Sequence, residues 1–182
     1  MKSKTTLYIS FGIVALAALV IAGCNNYSSS SSSSTTSTAQ EPPGLPPDPG
    51  PAGKTTLAGI DSNGNIARDD VERYIAINHQ DSAKVRAALM QFAVVAQLQL
   101  IDSADKQKSI QHANESGAAI DCLVDIAGSV QKAENLYDNL QSVILNTDAR
   151  NKAYFTYDNQ LGGQYFPDST STCTFDPSTL PN

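Results

Sequence analysis

Apolar and polar positions divide the chain into four stretches of different character. From Leu7 to Ala22 almost every residue is apolar, with Tyr8, Ser10 and Gly12 as the only interruptions. From Cys24 to Lys54 there is no apolar periodicity at all. From Asp69 to Leu161 no proline occurs, and apolar residues return every three or four positions, the spacing of one helix face, rather than alternating as in a strand. From Gln164 onward the chain is polar and punctuated by proline.

The third stretch predicts five helices. A short first helix runs over Asp70–Asn78 with Val71, Tyr74 and Ile75 inward. Ser82 caps a second that reaches Ile101 and carries Val85, Leu89, Phe92, Val95 and Ala96. A third begins at Ser103, with Ile110, Ala113, Ile120, Leu123, Val124 and Ala127 on its apolar side and a kink or split expected at Gly117. The fourth covers Val130–Leu145 through Ala133, Tyr137, Leu140 and Ile144. Thr147 or Asp148 opens the fifth, which holds Ala153, Tyr154 and Tyr157 and stops at Gly162-Gly163. The expected fold is all-α, a small antiparallel helical bundle followed by an irregular tail.

The second stretch changes the picture of what the helices are attached to. Ser28–Ser34 leads into Thr35, Thr36, Ser37 and Thr38, and prolines then dominate from Pro42 to Pro51. The Ser/Thr part has no apolar area to offset its chain entropy, and the proline part favours extended polyproline II. Together they read as a spacer.

The first stretch is an address. Lys2 and Lys4 precede an apolar run of 16 residues, short for a membrane span of about 20 but right for a signal peptide. It ends in Ile21-Ala22-Gly23-Cys24, which resembles the lipobox of bacterial lipoproteins. The resemblance implies cleavage after Gly23 and lipid on Cys24, and two or more acyl chains there would hold firmly to a membrane. Asn25 follows in place of the Asp that commonly retains such proteins at the inner membrane, which favours the outer membrane of a Gram-negative envelope. The organisation that results is 1–23 signal peptide, 24–54 lipidated tether and 55–182 helical domain.

Charge and cysteine content then narrow the function classes. The formal charge is −6, and removal of Lys2 and Lys4 takes it to about −8, with no basic stripe. Such a surface repels phosphate backbones, so nucleic acid is set aside as a partner. Of three cysteines, lipidation uses Cys24. Export to an oxidising compartment then predicts a bond between Cys122 and Cys173, which would tie the tail to the third helix. The alternative is a free Cys122 with Cys173 pairing between chains.

Residues 61–72 carry the one motif with evident chemistry: Asp-Ser-Asn-Gly-Asn-Ile-Ala-Arg-Asp-Asp-Val-Glu. Calcium takes six to eight hard oxygens, which a 12-residue loop supplies from positions 1, 3, 5, 7, 9 and 12. With Asp61 as position 1, these are Asp61, Asn63, Asn65, the Ala67 carbonyl, Asp69 and Glu72. The segment resembles an EF-hand loop, particularly the solitary loops of secreted bacterial proteins. It departs from that pattern in three ways. Position 6, usually glycine, is Ile66, so either the central turn differs or affinity suffers. Position 8, usually apolar, is Arg68, and no helix enters the loop. The expected ion is a weak, structural calcium. The same residues can also be read as turn formers before a capping box, Asp69-x-x-Glu72. That reading accounts for Asp69 and Glu72 but not for Asp61, Asn63 and Asn65.

Other groups point to no recognised chemistry. His79 and His112 lack metal-ligand spacing and are expected at exposed helix ends. Asp121 and Asp125 share a helix face, expected to be solvated, and no nucleophile elbow, phosphate loop or Cys-x-x-Cys is present. Tyr154, Tyr157, Tyr165 and Phe166 are expected in core and tail packing. The sequence therefore suggests a non-enzymatic, membrane-tethered binding or structural module of the cell envelope, with an unidentified envelope protein as partner. The alternative is a cell-envelope hydrolase with unrecognised catalytic groups.

Overall fold

In the computed structural model, residues 41–166 and 173–182 are described. The signal segment, Cys24 and the Ser/Thr run lie outside them. Five helices follow a short 3-10 turn at Gly50–Lys54: α1 (Asp69–Asn78), α2 (Ala83–Ile101), α3 (Lys106–Ala127), α4 (Val130–Ile144) and α5 (Asp148–Gln160). The fold is all-α, with no strand among the described residues.

Side-chain caps set most helix starts, each satisfying amide groups that the first turn leaves open. Ser82 Oγ accepts from Val85 N at 3.2 Å, and Thr147 Oγ1 accepts from Arg150 N at 3.2 Å. Ser129 caps α4 in the same way. The third helix begins three residues later than the periodicity suggests. Asp105 accepts from both Gln107 N and Lys108 N and so wins over Ser103, which is buried in the preceding turn. Nor does Gly117 interrupt α3, which runs unbroken to Ala127. A single glycine costs about 1 kcal/mol in a helix, which the flanking buried residues Ser116 and Ala119 can outweigh.

Helix α2 packs against α1, α3, α4 and α5. A helix so surrounded must be apolar on more than one face, and Ala88, Leu89, Phe92, Ala93, Ala96 and Leu100 are all buried. Around them gather Val71 and Ile75 of α1, Leu123 of α3, Leu140 and Ile144 of α4 and Ala153 of α5. Phe92 and Tyr137 pack with their rings tilted by 57° and centroids 4.9 Å apart. Burial pushes the phenols of Tyr137 and Tyr157 well above their ordinary range, and Tyr157 accepts from Gln99 Nε2 at 2.9 Å.

Cys122, fully buried on α3, is bonded to Cys173. The bond seats Cys173 and Phe175 against the core, and Thr174 N reaches Gln91 Oε1 at 2.9 Å. The expected aromatic grouping is split. Tyr157 is buried and Tyr154 packs on the core, but Tyr165 is 87% exposed. Two glycines at the end of α5 release the chain before the tyrosine reaches the helices.

Candidate cation-binding loop

The loop 61–72 is wound around its first residue. Asp61 Oδ1 accepts from Gly64 N at 2.8 Å and Asn65 N at 3.2 Å, and Oδ2 accepts from Ile66 N at 2.8 Å. One carboxylate thus orders three successive amides. Asn63 Oδ1 and Asn65 Oδ1 continue the pattern by accepting from Asn65 N and Ala67 N. The winding brings both side-chain amides onto the last residue of the loop. Asn63 Nδ2 lies 3.0 and 3.3 Å from the two oxygens of Glu72, and Asn65 Nδ2 donates to Glu72 Oε1.

Ile66 keeps the left-handed conformation that this turn demands, at φ 80°, and it is the only non-glycine residue at positive φ among those described. The central turn is therefore retained with a β-branched residue in it, at a backbone cost of about 1–3 kcal/mol.

Asp61, Asn63 and Asn65 do act as turn formers, accepting from amides two to five residues on, but the capping box does not match the geometry. Asp69 is the first residue of α1, and Arg68 stands at the cap position without a side-chain cap bond. Asp69 is buried, and its Oδ1 accepts from Ser62 N at 2.9 Å and Ser62 Oγ at 3.2 Å. Glu72 meets the two asparagines rather than a cap amide. Asp69 closes the loop, together with the bond from its own amide to Ile60 O at 2.8 Å. Ala67 is fully buried at the same closure.

Of the five side chains expected to hold an ion, the loop brings Asn63 and Asn65 onto Glu72, while Asp61 faces backbone amides and Asp69 is buried against Ser62. Among the described residues no three His, Cys, Asp or Glu side chains form a metal-holding group. Two of those five side chains are neutral amides and none is a thiolate or imidazole, so the set lacks the soft donors that transition metals prefer.

Behind the loop lies a polar clamp with no signature in the sequence. Arg68 and Arg150 are both fully buried. Arg68 grips Asp70 with Nε and Nη2 at 2.8 and 3.0 Å, and donates to Ile144 O and Val143 O, both at 3.0 Å, at the end of α4. It thereby neutralises the open carbonyls of that helix end. Asn146 joins the two arginines: its Nδ2 donates to Asp70 Oδ2 at 3.0 Å, and its Oδ1 accepts from Arg150 Nη1. Burial raises the Asp70 carboxyl, but the Arg68 fork more than offsets this, leaving it below the ordinary range. Arg150 then reaches Gly53 O at 2.7 Å, Thr56 O at 3.1 Å and Leu57 O at 3.3 Å. Arg68 at loop position 8 is thus a packed internal anchor.

The histidines lie apart. His79 ends α1 edge-on to Tyr74. His112, expected at an exposed helix end, is instead buried in the second turn of α3. Its Nε2 is 2.9 Å from Asp102 and its Nδ1 is 2.9 Å from Glu115. Lys108 also binds Asp102, at 2.8 Å, and the hydrogen bonds from Lys108 and then His112 hold the Asp102 carboxyl below its usual range. Asp121 and Asp125 are exposed on α3. A groove of about 620 Å³ opens between Pro42–Leu45 and the residues Ala76, Gln80 and Arg86. Arg86 Nη1 is directed to the carbonyls of His79 and Gln80.

No family model, curated protein or solved structure matches this chain.

Proposed function

We propose that this chain is a calcium-stabilised structural or binding module, lipid-anchored through Cys24 and held off an envelope membrane by residues 24–54. The carrying observation is the convergence of Asn63 and Asn65 on Glu72, within a loop wound about Asp61. An ion at the Glu72 carboxylate would take the place of the two N–H groups, with the Asn63 and Asn65 amides turned to present oxygen. In this reading the fold is an antiparallel bundle with a solitary EF-hand-like loop at its N-terminal edge and a disulfide-tied tail. Asp61, Asn63, Asn65, Asp69 and Glu72 hold the ion with the Ala67 carbonyl. With few carboxylates, affinity falls in the extracellular class, ~10⁻⁴–10⁻³ M.

The non-enzymatic reading draws support from His112. Both its nitrogens face carboxylates, so neither is free to serve a nucleophile. Among the described residues no helix is long and apolar enough to cross a membrane, and the proposed anchorage rests on the lipobox-like Ile21-Ala22-Gly23-Cys24 alone.

Melting the full chain in millimolar calcium and then in chelator tests the reading. Binding to the folded state alone adds about 2.7 kcal/mol at a hundredfold excess over the dissociation constant. The expected result is a melting temperature several degrees higher in calcium, and equal melting would refute the role. Intact mass of the membrane-extracted protein should show an acylated Cys24, and a soluble form with free Cys24 would refute the anchor.

A further inference from the structure

The segment before the loop is held in an unusual manner. Between Gly53 and Ile60, backbone carbonyls are taken up one after another by donors from the helices behind. Gly53, Thr56 and Leu57 give theirs to Arg150 of α5, Ala58 to Gln97 Nε2 of α2 at 3.1 Å, and Ile60 to the amide of Asp69. Both Arg150 and Gln97 are buried. The segment itself contributes little apolar contact: Leu57 packs against the core, while Lys54, Thr55, Thr56 and Ala58 are exposed. Elements with few buried apolar contacts are the ones that open at low free energy while the rest stays folded.

The segment also passes through a narrow place. At Gly59, φ is +68°, and an added Cβ would lie 2.5 Å from Arg68 Cδ and 2.9 Å from Arg150 Nη2. The chain threads between the two buried arginines and enters the loop two residues later, at Asp61. Arg68 belongs to the loop, and Arg150 belongs to the clamp that Asn146 and Asp70 link to it. Loop closure and segment docking therefore share the same side chains.

We propose that residues 53–60 form a strap whose docking is governed by cation occupancy of loop 61–72, with Arg150 as the positioning residue that latches it. The inference rests on the calcium reading of the loop. An ion that closes Asp61 onto Glu72 fixes the Ile60–Asp69 bond at the loop's neck, sets Gly59 between the arginines and presents the strap carbonyls to Arg150 and Gln97. Loss of the ion loosens the neck first, then the strap. The chain before the strap is held to α1 separately, with Arg73 donating to Pro46 O at 2.8 Å and pairing with Glu41, so release of the strap frees a stretch that stays tied at both ends.

Hydrogen exchange read by mass spectrometry on the full chain tests this, in calcium and in chelator, with calorimetry on the same sample. At a tenfold excess of calcium over its dissociation constant, the open strap should be about tenfold less populated. In chelator, residues 53–60 should exchange faster than α3, which reports global unfolding, and in calcium their exchange should slow by about that factor, as that of α3 does, because both openings release the ion. Binding heat with unchanged exchange in 53–60, or exchange in 53–60 no faster than in α3 in chelator, would overturn the strap while leaving the calcium reading standing. No heat and no change anywhere would overturn both. Arg150→Lys keeps the charge but loses the fork. It should retain the binding heat and lose the strap's calcium-dependent protection, and retained protection would overturn the latch. Should this variant not fold, the wild-type comparison decides alone.

Discussion

Gly59→Ala should be among the most damaging single-methyl additions in this protein. Two costs combine. At φ +68° an L-residue sits in the left-handed region, at about 1–2 kcal/mol. The new Cβ would also meet Arg68 Cδ at 2.5 Å, Arg150 Nη2 at 2.9 Å and Gly53 O at 3.1 Å. Neither arginine can yield freely, because each is buried and tied to several carbonyls, and such overpacking costs about 1–3 kcal/mol. The expected loss is about 2–5 kcal/mol. Two other glycines separate the contributions. Gly64, at φ +74° with no atom within 4 Å of a built Cβ, should lose only the backbone part, about 1–2 kcal/mol. Gly117→Ala, inside α3 and in open space, should stabilise by about 0.5–1 kcal/mol. Urea unfolding of the full chain in chelator, followed by far-ultraviolet circular dichroism, gives all three on one scale without the ion. If Gly59→Ala is no worse than Gly64→Ala, the pinch between the arginines does not exist as described.

Three further outcomes are expected. Ile66→Gly removes a β-branched residue from φ 80° at a site 42% exposed, so it should gain about 1 kcal/mol and tighten calcium binding, measured by unfolding and titration; a loss would contradict the strained turn. Cys122→Ala with Cys173→Ser opens a closure spanning 51 residues, worth about 4 kcal/mol in the chain-entropy model, and a urea-unfolding loss below about 1 kcal/mol would contradict that constraint. Asp102 is held below its ordinary value of 3.8 by Lys108 and then His112, so its contribution is present above that pH and lost as pH falls below it. The melting-temperature gap between wild type and Asp102→Asn should narrow in that acid range, and a constant gap would refute it.

Much of the helical layout was legible because it rests on local rules. Proline-free spacing of three and four located all five helices, and Ser82 and Thr147 cap where their positions suggested. The cysteine pairing followed from the need to tie down a polar tail. What was missed depends on distant partners. Arg68 and Arg150 are letters of a solvated surface, yet they are buried because carbonyls up to 97 residues away accept from them. His112 similarly owes its burial to Asp102, on the turn after α2. The start of α3 turned on a competition between two capping candidates, Ser103 and Asp105, that spacing alone does not settle. In the candidate site, the spacing of Asp61, Asn63, Asn65 and Glu72 marked a wound loop, whereas the turn of both asparagine N–H groups onto Glu72 and the bond from Ser62 to Asp69 were not legible, because they depend on the closed backbone.

Isothermal titration of calcium into the full chain, beside Glu72→Gln, decides whether loop 61–72 takes calcium through Glu72. The expected result is a single site with a dissociation constant of ~10⁻⁴–10⁻³ M that disappears in the variant. Absence of binding in the wild type, or binding that Glu72→Gln leaves unchanged, would contradict it.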